Sequence, residues 1–339
     1  MMVKHIIDFT EQNWKELILE INNQEVGELY LKNYDERKID LSDLNVNTKL
    51  RDIFFNAGYM NSLPNFIVEQ NFINYLSFNN VYIKEDIINF GDLKSLSSIG
   101  LYGEQLNSFP KSISKYNSLF TLSVQDSNIV NINESFDALQ NLRNLYFRSN
   151  PKLKSIPKGL ERCERLNFVE LFECDKIDRI EIEETNTIKE MRIGSCAKNY
   201  KIPLGFNKLT SLERLKIDNY ESVVNLSFLK YLKNLSELVV FSIDSSNIKK
   251  ISEVTFLKHL RIGSFMASYG VNEIPMCFEK LQNLETLRFT PKGNLDLDKL
   301  INVTQQLHSL KELWLDNIIL DKTEINRLKK QLKIKIINK

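Results

Sequence analysis

A motif of three apolar positions recurs thirteen times along this chain, and it restricts the possible folds more than any other feature. Within each repeat the apolar residues stand at positions s, s+3 and s+5, where s is the first of them. The thirteen first positions are Val26, Leu50, Ile73, Leu96, Leu119, Leu142, Leu166, Ile188, Leu212, Leu235, Leu257, Leu284 and Leu310. Successive starts lie about 23 residues apart, and all 39 motif positions are apolar. Because repeated units pack on their neighbours, the 339 residues are predicted to form a single domain.

Five of the seven prolines hold the same place in their repeats. Each lies nine residues before the first position of the next repeat and directly follows an apolar residue. They are Pro64, Pro110, Pro157, Pro203 and Pro275. Proline fixes φ and cannot donate to a strand ladder, so it marks the point where the chain leaves a strand and starts an outer segment.

The spacing within a repeat predicts one short strand and one short helical segment. Residues at s+3 and s+5 point inward on a parallel strand, and s+4 points to solvent. A second apolar series at s−6 and s−3, as in Phe136 and Leu139, has the spacing of one or two helical turns. Stacking the repeats buries both apolar rows in one continuous core.

Three segments carry a family resemblance: LRNLYFRSNPKLKSIP, LFTLSVQDSNIVNI and LERLKIDNYESVVNL. They resemble the leucine-rich-repeat family, whose pattern is LxxLxLxxNxL, over roughly residues 24 to 320. The Ile-Pro element followed by LxxLxxL is similar to the intracellular Ile-Pro type, with repeats of about 23 residues. The resemblance implies an α/β solenoid, a curved horseshoe with a parallel sheet on its concave face and short helical or irregular convex segments.

The family's Asn position, s+8, is poorly kept in this chain. Asn150 matches it, and Ser127, Cys174 and Cys196 are plausible substitutes. The departures are Tyr34, Gly58, Val81, Ile243 and Phe265. An incomplete Asn ladder predicts local irregularity in the turns.

Both ends of the repeat stack are predicted to be capped. Residues 1–23 form an N-terminal cap whose helix has Thr10 as its N-cap and buries one face: Trp14, Leu17, Ile18 and Ile21. Residues 321–339 form a C-terminal cap, in which Asp321 and Glu324 have capping-box spacing before a helix containing Leu328. The last segment, 333–337, alternates like an edge strand.

The sequence carries no pattern typical of catalysis, a cofactor or a metal. It has no GxGxxG, Walker loop, HExxH or CxxC, and its three histidines are scattered. Cys174 and Cys196 share position s+8, which allows either a metal or redox pair or, as we favour, two substitutes for the family's Asn. Without a signal peptide or a membrane-length apolar run, the chain is predicted to be cytoplasmic, with its four cysteines reduced.

Positions s+2, s+4, s+6 and s+7 are predicted to face solvent on the concave side, where they carry aromatic and charged side chains. Exposed aromatics and arginines on a rigid sheet are typical of protein-binding surfaces. The predicted partner-binding residues are Tyr75, Tyr102, Tyr146, Arg148, Phe168, Phe172, Arg192, Arg214, Phe241, Arg261 and Trp314. Two alternatives stay open, since the aromatics could pack on one another and the charges, which include Lys216, Glu170 and Asp218, could pair among themselves.

These observations favour a non-catalytic scaffold or inhibitor that binds a protein partner. Alternatives are an immunity-type protein that neutralises a toxin, a targeting subunit of an enzyme, or a sugar binder. Lys plus Arg number 45 and Asp plus Glu 44, so the net charge of +1 argues against nucleic acid as a partner; no membrane partner is expected. A longer repeat containing 263–270 predicts a loop that either contacts the partner or covers the core.

Overall fold

The computed structural model describes residues 3–45, 49–68, 70–83, 93–184, 186–263 and 269–338. The chain divides into two compact units, Met1–Phe168 and Val169–Lys339. Their organisation as one domain, with residues 1–23 and 321–339 as caps, stays a prediction.

In each unit the strands run parallel and lie side by side in chain order. The first unit contains β1 (Val3–Asp8), β2 (Val26–Asp35), β3 (Asp52–Met60), β4 (Tyr75–Ile83), β5 (Ser98–Tyr102), β6 (Thr121–Gln125) and β7 (Asn144–Arg148). The boundary between the units falls in β8 (Phe168–Phe172). The second unit continues with β9 (Glu190–Ser195), β10 (Arg214–Asn219), β11 (Glu237–Phe241), β12 (His259–Gly263), β13 (Thr286–Thr290), β14 (Glu312–Leu315) and β15 (Lys335–Asn338).

Helices are short and lie between strands. The α-helices among the described residues are α1 (Trp14–Asn22), α2 (Asn65–Val68), α3 (Ser245–Ile251), α4 (Leu297–Gln305) and α5 (Lys322–Leu332). Single 3₁₀ turns occupy Lys111–Lys115, Leu160–Arg162, Phe206–Lys208, Leu229–Tyr231 and Met276–Lys280. Pro110 and Pro275 directly precede two of these turns. The predicted parallel-sheet solenoid with short helical outer segments is thus confirmed.

The predicted strand register is also confirmed. Strands β2 to β14 begin at or within three residues of the thirteen motif starts, and all 39 motif side chains are at most 6% exposed. Neighbouring strands pair equivalent positions, as in Leu215 opposite Leu238 and Met191. Phe136 and Leu139, from the second apolar series, are fully buried. Both apolar rows therefore form the core, because each repeat covers the rows of its neighbours.

In nine repeats of the part of the chain that the structure describes, position s+7 does not continue the strand face, contrary to the prediction. The residue there has a positive φ: Asn33, Ala57, Asn80, Gly103, Asp126, Ser149, Glu173, Ser242 and Asn317. A left-handed residue turns the chain, so the side chains at s+2, s+4 and s+6 define the solvent-facing side of the strands.

The s+8 position behaves differently in different repeats. Asn150 is fully buried, accepts hydrogen bonds from the Ser127 amide (3.1 Å) and hydroxyl (2.6 Å), and donates to the Val124 carbonyl (2.8 Å). Where Tyr34, Gly58 and Val81 replace Asn, the strands pair through these positions and lengthen to nine or ten residues. Ile243 also replaces Asn, but β11 ends before it at Phe241, so the loss of Asn does not by itself lengthen a strand. Phe265 lies outside the described residues.

The ends match the prediction in part. Ile18 and Ile21 of α1 are buried, but the N-cap is Asn13, and Thr10 instead donates its hydroxyl to Asp8 (2.7 Å). Strand β1, which pairs with β2, was not predicted. At the other end the Asp321–Glu324 capping box is present, Leu328 is buried, and β15 pairs with β14. No helix in the described part of the chain is long and apolar enough to cross a membrane.

The cysteines lead to a prediction about thiol reactivity. All four are free thiols; Cys163 and Cys174 are buried and Cys196 is exposed. Burial raises the pKa of Cys163 to about 12, and its thiol therefore stays protonated and unreactive at neutral pH. We expect titration with a disulfide reagent to find four thiols in denaturant, and in the native protein Cys196 to react well before Cys163. Fewer than four thiols in denaturant, or stoichiometric zinc by elemental analysis, would show that the cysteines are oxidised or bind metal.

Candidate functional site

The eleven residues predicted to bind a partner lie at positions s+2, s+4 and s+6 of their strands. We call the side of the strands that carries these positions the open face. Tyr75, Tyr102, Tyr146, Arg148 and Phe168 belong to the first unit, and the other six to the second. Nine of the eleven are half-buried; Arg214 is exposed and Phe241 is buried, at 7% exposure. Most of the set therefore offers part of its side chain to solvent and part to its neighbours.

In the first unit, aromatic side chains at one end of the open face pack against each other. Tyr30 and Phe54 stack with ring centroids 4.2 Å apart and an interplanar angle of 6°. Phe54 contacts Tyr75 edge to face, with centroids 5.4 Å apart. Cross-strand packing, considered above as an alternative to partner binding, thus occurs here and holds the rings in place.

Small side chains interrupt the aromatic row at position s+4. Paired residues along this row run from Phe54 through Ser77, Gly100 and Ser123 to Tyr146. A Cβ at Gly100 would overlap the ring of Tyr102, which shows that this ring lies across the glycine. The side chains of the row are therefore short in the middle strands and large again at Tyr146, which leaves a dip in the open face.

A pocket of about 530 Å³ lies at this dip on the open face, and another of about 570 Å³ lies elsewhere on the first unit. The pocket at the dip is lined by Asp52, Asn74, Tyr75, Ser97, Ser98, Ile99, Tyr102, Thr121, Ser123, Gln125, Tyr146 and Arg148. Four of the eleven predicted residues, Tyr75, Tyr102, Tyr146 and Arg148, are thus brought together. We call this the tyrosine pocket.

Hydrogen bonds organise the polar groups of the tyrosine pocket. The hydroxyls of Tyr75 and Tyr102 are 3.2 Å apart. Gln125 donates its Nε2 to the Ser123 Oγ at 2.7 Å. Burial, followed by the hydrogen bond to Tyr102, raises the pKa of Tyr75, so its phenol is protonated at neutral pH. On the far side, the Tyr146 ring packs on Phe168 with centroids 5.2 Å apart.

In the second unit, cations on the open face neutralise buried carboxylates. Arg192 donates its Nε to Asp218 Oδ2 at 2.6 Å and lies 3.2 Å from Glu170 Oε1. Lys216 Nζ is 3.0 Å from the same Asp218 oxygen. The side chains of Glu170 and Asp218 are only 1% exposed, which corrects the prediction that they face solvent. They lie beneath the cations because charge pairing inside the sheet face offsets their desolvation.

Arginines in this unit also lie near aromatic rings. The guanidinium carbons of Arg192, Arg261 and Arg288 lie 5.4, 5.3 and 5.2 Å from the ring centroids of Phe172, Phe241 and Trp314. Arg288 also forms an ion pair with the buried Asp316. Burial, and then the neighbouring Arg288, lower the pKa of Arg261. Arg214 pairs with Glu190 at 2.7 Å on the more exposed edge.

Sequence reasoning missed the small or uncharged polar residues that shape the tyrosine pocket. Gly100, Ser123 and Gln125 belong to no binding motif, and none is aromatic or charged. A signal was present, however, because the s+4 positions change from aromatic to small and back to aromatic between Phe54 and Tyr146. Among the described residues, no group of three or more His, Cys, Asp or Glu is placed to hold a metal ion.

Comparison with known proteins supports the fold alone. No family model and no curated protein matches this sequence. A leucine-rich-repeat protein of Leptospira interrogans aligns at 19% identity and a TM-score of 0.47, covering 92% of this chain and 90% of its own. An internalin of Listeria monocytogenes aligns at 17% identity with a TM-score of 0.46, and the alignment covers 91% of this chain and 77% of that chain. A chain of the mouse RP105/MD-1 complex aligns at 15% identity with a TM-score of 0.53, and the alignment covers 90% of this chain and 54% of that chain.

Proposed function

This chain has the leucine-rich-repeat fold, and on that premise we propose that it is a non-catalytic module that binds a protein partner through its open face. We take this face to be the concave side that the leucine-rich-repeat resemblance implies. The observation that carries the proposal is the row of half-exposed aromatic and arginine side chains held above a fully buried core. Rigid, partly buried Tyr, Trp and Arg side chains are the residues most often found in binding hot spots.

Protein is favoured over nucleic acid because the arginines of the open face are largely matched by carboxylates. Arg192, Arg214 and Arg288 each pair with an acidic side chain, and the net charge of the chain is only +1. Phosphate binding draws on a basic surface that this pattern does not provide. The mouse RP105/MD-1 complex, a structural neighbour, is itself an assembly of two partners.

Within this function we propose a scaffold or inhibitor that acts in the cytoplasm. An immunity-type protein that neutralises a toxin, and a targeting subunit of an enzyme, are more specific versions of the same binding role. They differ in their effect on the partner. A purified inhibitor or immunity protein lowers its partner's activity at a one-to-one ratio, whereas a targeting subunit leaves the partner's turnover unchanged.

Affinity capture with matched baits tests the proposal. The baits are the wild-type chain, an open-face variant, Arg214→Glu, and an outer-segment variant, Lys158→Ala; both replaced side chains are exposed. We expect one protein to be recovered stoichiometrically by the wild type and by Lys158→Ala, and several-fold less by Arg214→Glu, because a reversed charge opposes the partner's matching group. The activity of the captured protein is then assayed with and without the chain.

Equal recovery by all three baits would place the binding surface elsewhere. The segment 263–270 would then be the next to replace, although residues 264–268 lie outside the described part of the chain. Recovery of nucleic acid alone from the wild-type bait would contradict the proposed class of partner.

A further inference from the structure

We propose that the tyrosine pocket of the first unit accepts one aromatic side chain of the partner, which inserts between Tyr102 and Tyr146 above Ser123. This inference rests on the proposed function and adds to it the chemistry of the anchoring group. It assigns a binding role to Gly100 and Ser123, two of the small residues in the s+4 row.

The geometry provides room for one ring. Gly100 lies on β5, beneath the ring of Tyr102. Tyr146 lies on β7, and Ser123 of β6 lies between the two. Two strand spacings separate these positions by about 9.6 Å. Aromatic rings pack with centroids roughly 4.5–7 Å apart, so a ring seated over Ser123 would contact both tyrosines. A larger side chain at Ser123 would fill this space.

The chemistry of the lining favours a ring over a sugar. The Tyr75 and Tyr102 hydroxyls already pair with each other, and Ser123 already accepts from Gln125. A sugar that bonded to these hydroxyls would have to displace these contacts. The tyrosine rings supply apolar contact area, and Asp52, Asn74 and Arg148 add polar side chains to the lining. The phenol of a partner tyrosine can use both, because its ring packs and its hydroxyl bonds at the rim.

The composition of the pocket points to a polypeptide as the source of the ring. Tyrosine and serine supply six of its twelve lining residues, and both are common in antibody combining sites. Tyrosine supplies rigid contact area at a low cost in side-chain entropy, and serine supplies adaptable hydrogen bonds. Tyr146 is held from behind by Phe168, so the wall is in place before the partner arrives.

The test uses N-acetyltyrosinamide as a probe and the Thr121 methyl group, which lines the pocket, as the NMR reporter. We expect a saturable shift of this resonance in the full-length chain, with a dissociation constant in the millimolar range typical of so small a ligand. The same titration uses N-acetylleucinamide and methyl β-glucopyranoside. Each is expected to bind at least several-fold more weakly than the tyrosine probe.

Three variants locate the site. Ser123→Leu fills the pocket and should weaken probe binding at least tenfold. Gly100→Ala should weaken it several-fold, because the new methyl group must displace the Tyr102 ring. The matched control, Asn56→Leu, adds a leucine at an exposed s+6 position of β3 outside the pocket and should leave binding unchanged. Circular dichroism melts confirm that each variant is folded.

No saturable shift up to the solubility limit of the probe, or undiminished binding by Ser123→Leu, overturns the inference. Tighter binding of the glucoside than of the tyrosine probe would identify a sugar site instead. Because the probe needs no partner, its failure leaves the proposed function standing, whereas failure of the capture experiment leaves the pocket chemistry standing.

Discussion

Leu215→Ala is expected to lower the free energy of unfolding by about 2–5 kcal/mol, the usual range for truncating a buried leucine. Leu215 is at the second motif position of β10, is 1% exposed, and is paired between Met191 and Leu238. Its removal leaves a cavity that the stacked strands on either side can close only in part, since their backbones are held by ladder hydrogen bonds. Urea unfolding followed by circular dichroism measures the loss.

The matched control is Leu204→Ala, the same substitution at a leucine that is 64% exposed in the same unit. It should change the free energy of unfolding by less than about 0.5 kcal/mol. Equal losses in the two variants would show that Leu215 is not buried as the strand register requires. Lys216, adjacent to Leu215 and pointing to the open face, is not a neutral control, because its ammonium pairs with buried Asp218.

Tyr146→Ala is expected to lower affinity for the protein partner by about 2 kcal/mol or more. Tyr146 forms one wall of the tyrosine pocket and packs on Phe168, and Arg148 lies 5.8 Å from its ring centroid. A central aromatic next to an arginine has the character of a binding hot spot. Phe172→Ala, which removes the ring beside Arg192 in the second unit, is predicted to have an effect of similar size.

Calorimetry with the purified partner measures both losses. Melting curves for each variant separate lost affinity from lost folding, a necessary check because Tyr146 also contacts Phe168. Lys158→Ala, an exposed substitution on the outer segment, should bind as the wild type does. The interface would lie on another surface if Tyr146→Ala and Phe172→Ala bound normally and Lys158→Ala bound more weakly.

Much of the fold could be predicted because burial in a repeat depends on few contacts. A side chain at s+3 or s+5 packs on its equivalents in the adjoining repeats, and its environment is therefore encoded by a period that the sequence displays. The capping box at Asp321 was predictable for a similar reason, since both of its partners lie within four residues. Strand β1 was missed because the segment before Thr10 carries no copy of the full motif.

The candidate site was less predictable, because position alone does not tell whether a solvent-facing side chain is covered by its neighbours. Glu170 and Asp218 occupy strand positions that point to the open face, yet Arg192 and Lys216 lie across them. Phe241 occupies another such position and is buried. Whether these or the remaining predicted residues bind a partner is still a prediction.

Sequence periodicity was enough to predict the solenoid class, the thirteen strand positions and the buried rows, because all three follow from a local period and from the packing of like residues on like. Only the folded chain shows which open-face charges are buried, where s+7 turns the chain, and that Tyr75, Tyr102 and Tyr146 line one pocket. These features depend on how long side chains from three or four neighbouring strands share the space above the sheet. No single repeat contains that information. A glycine or serine leaves a pocket between aromatic side chains only when the strands that carry those side chains are paired beside it.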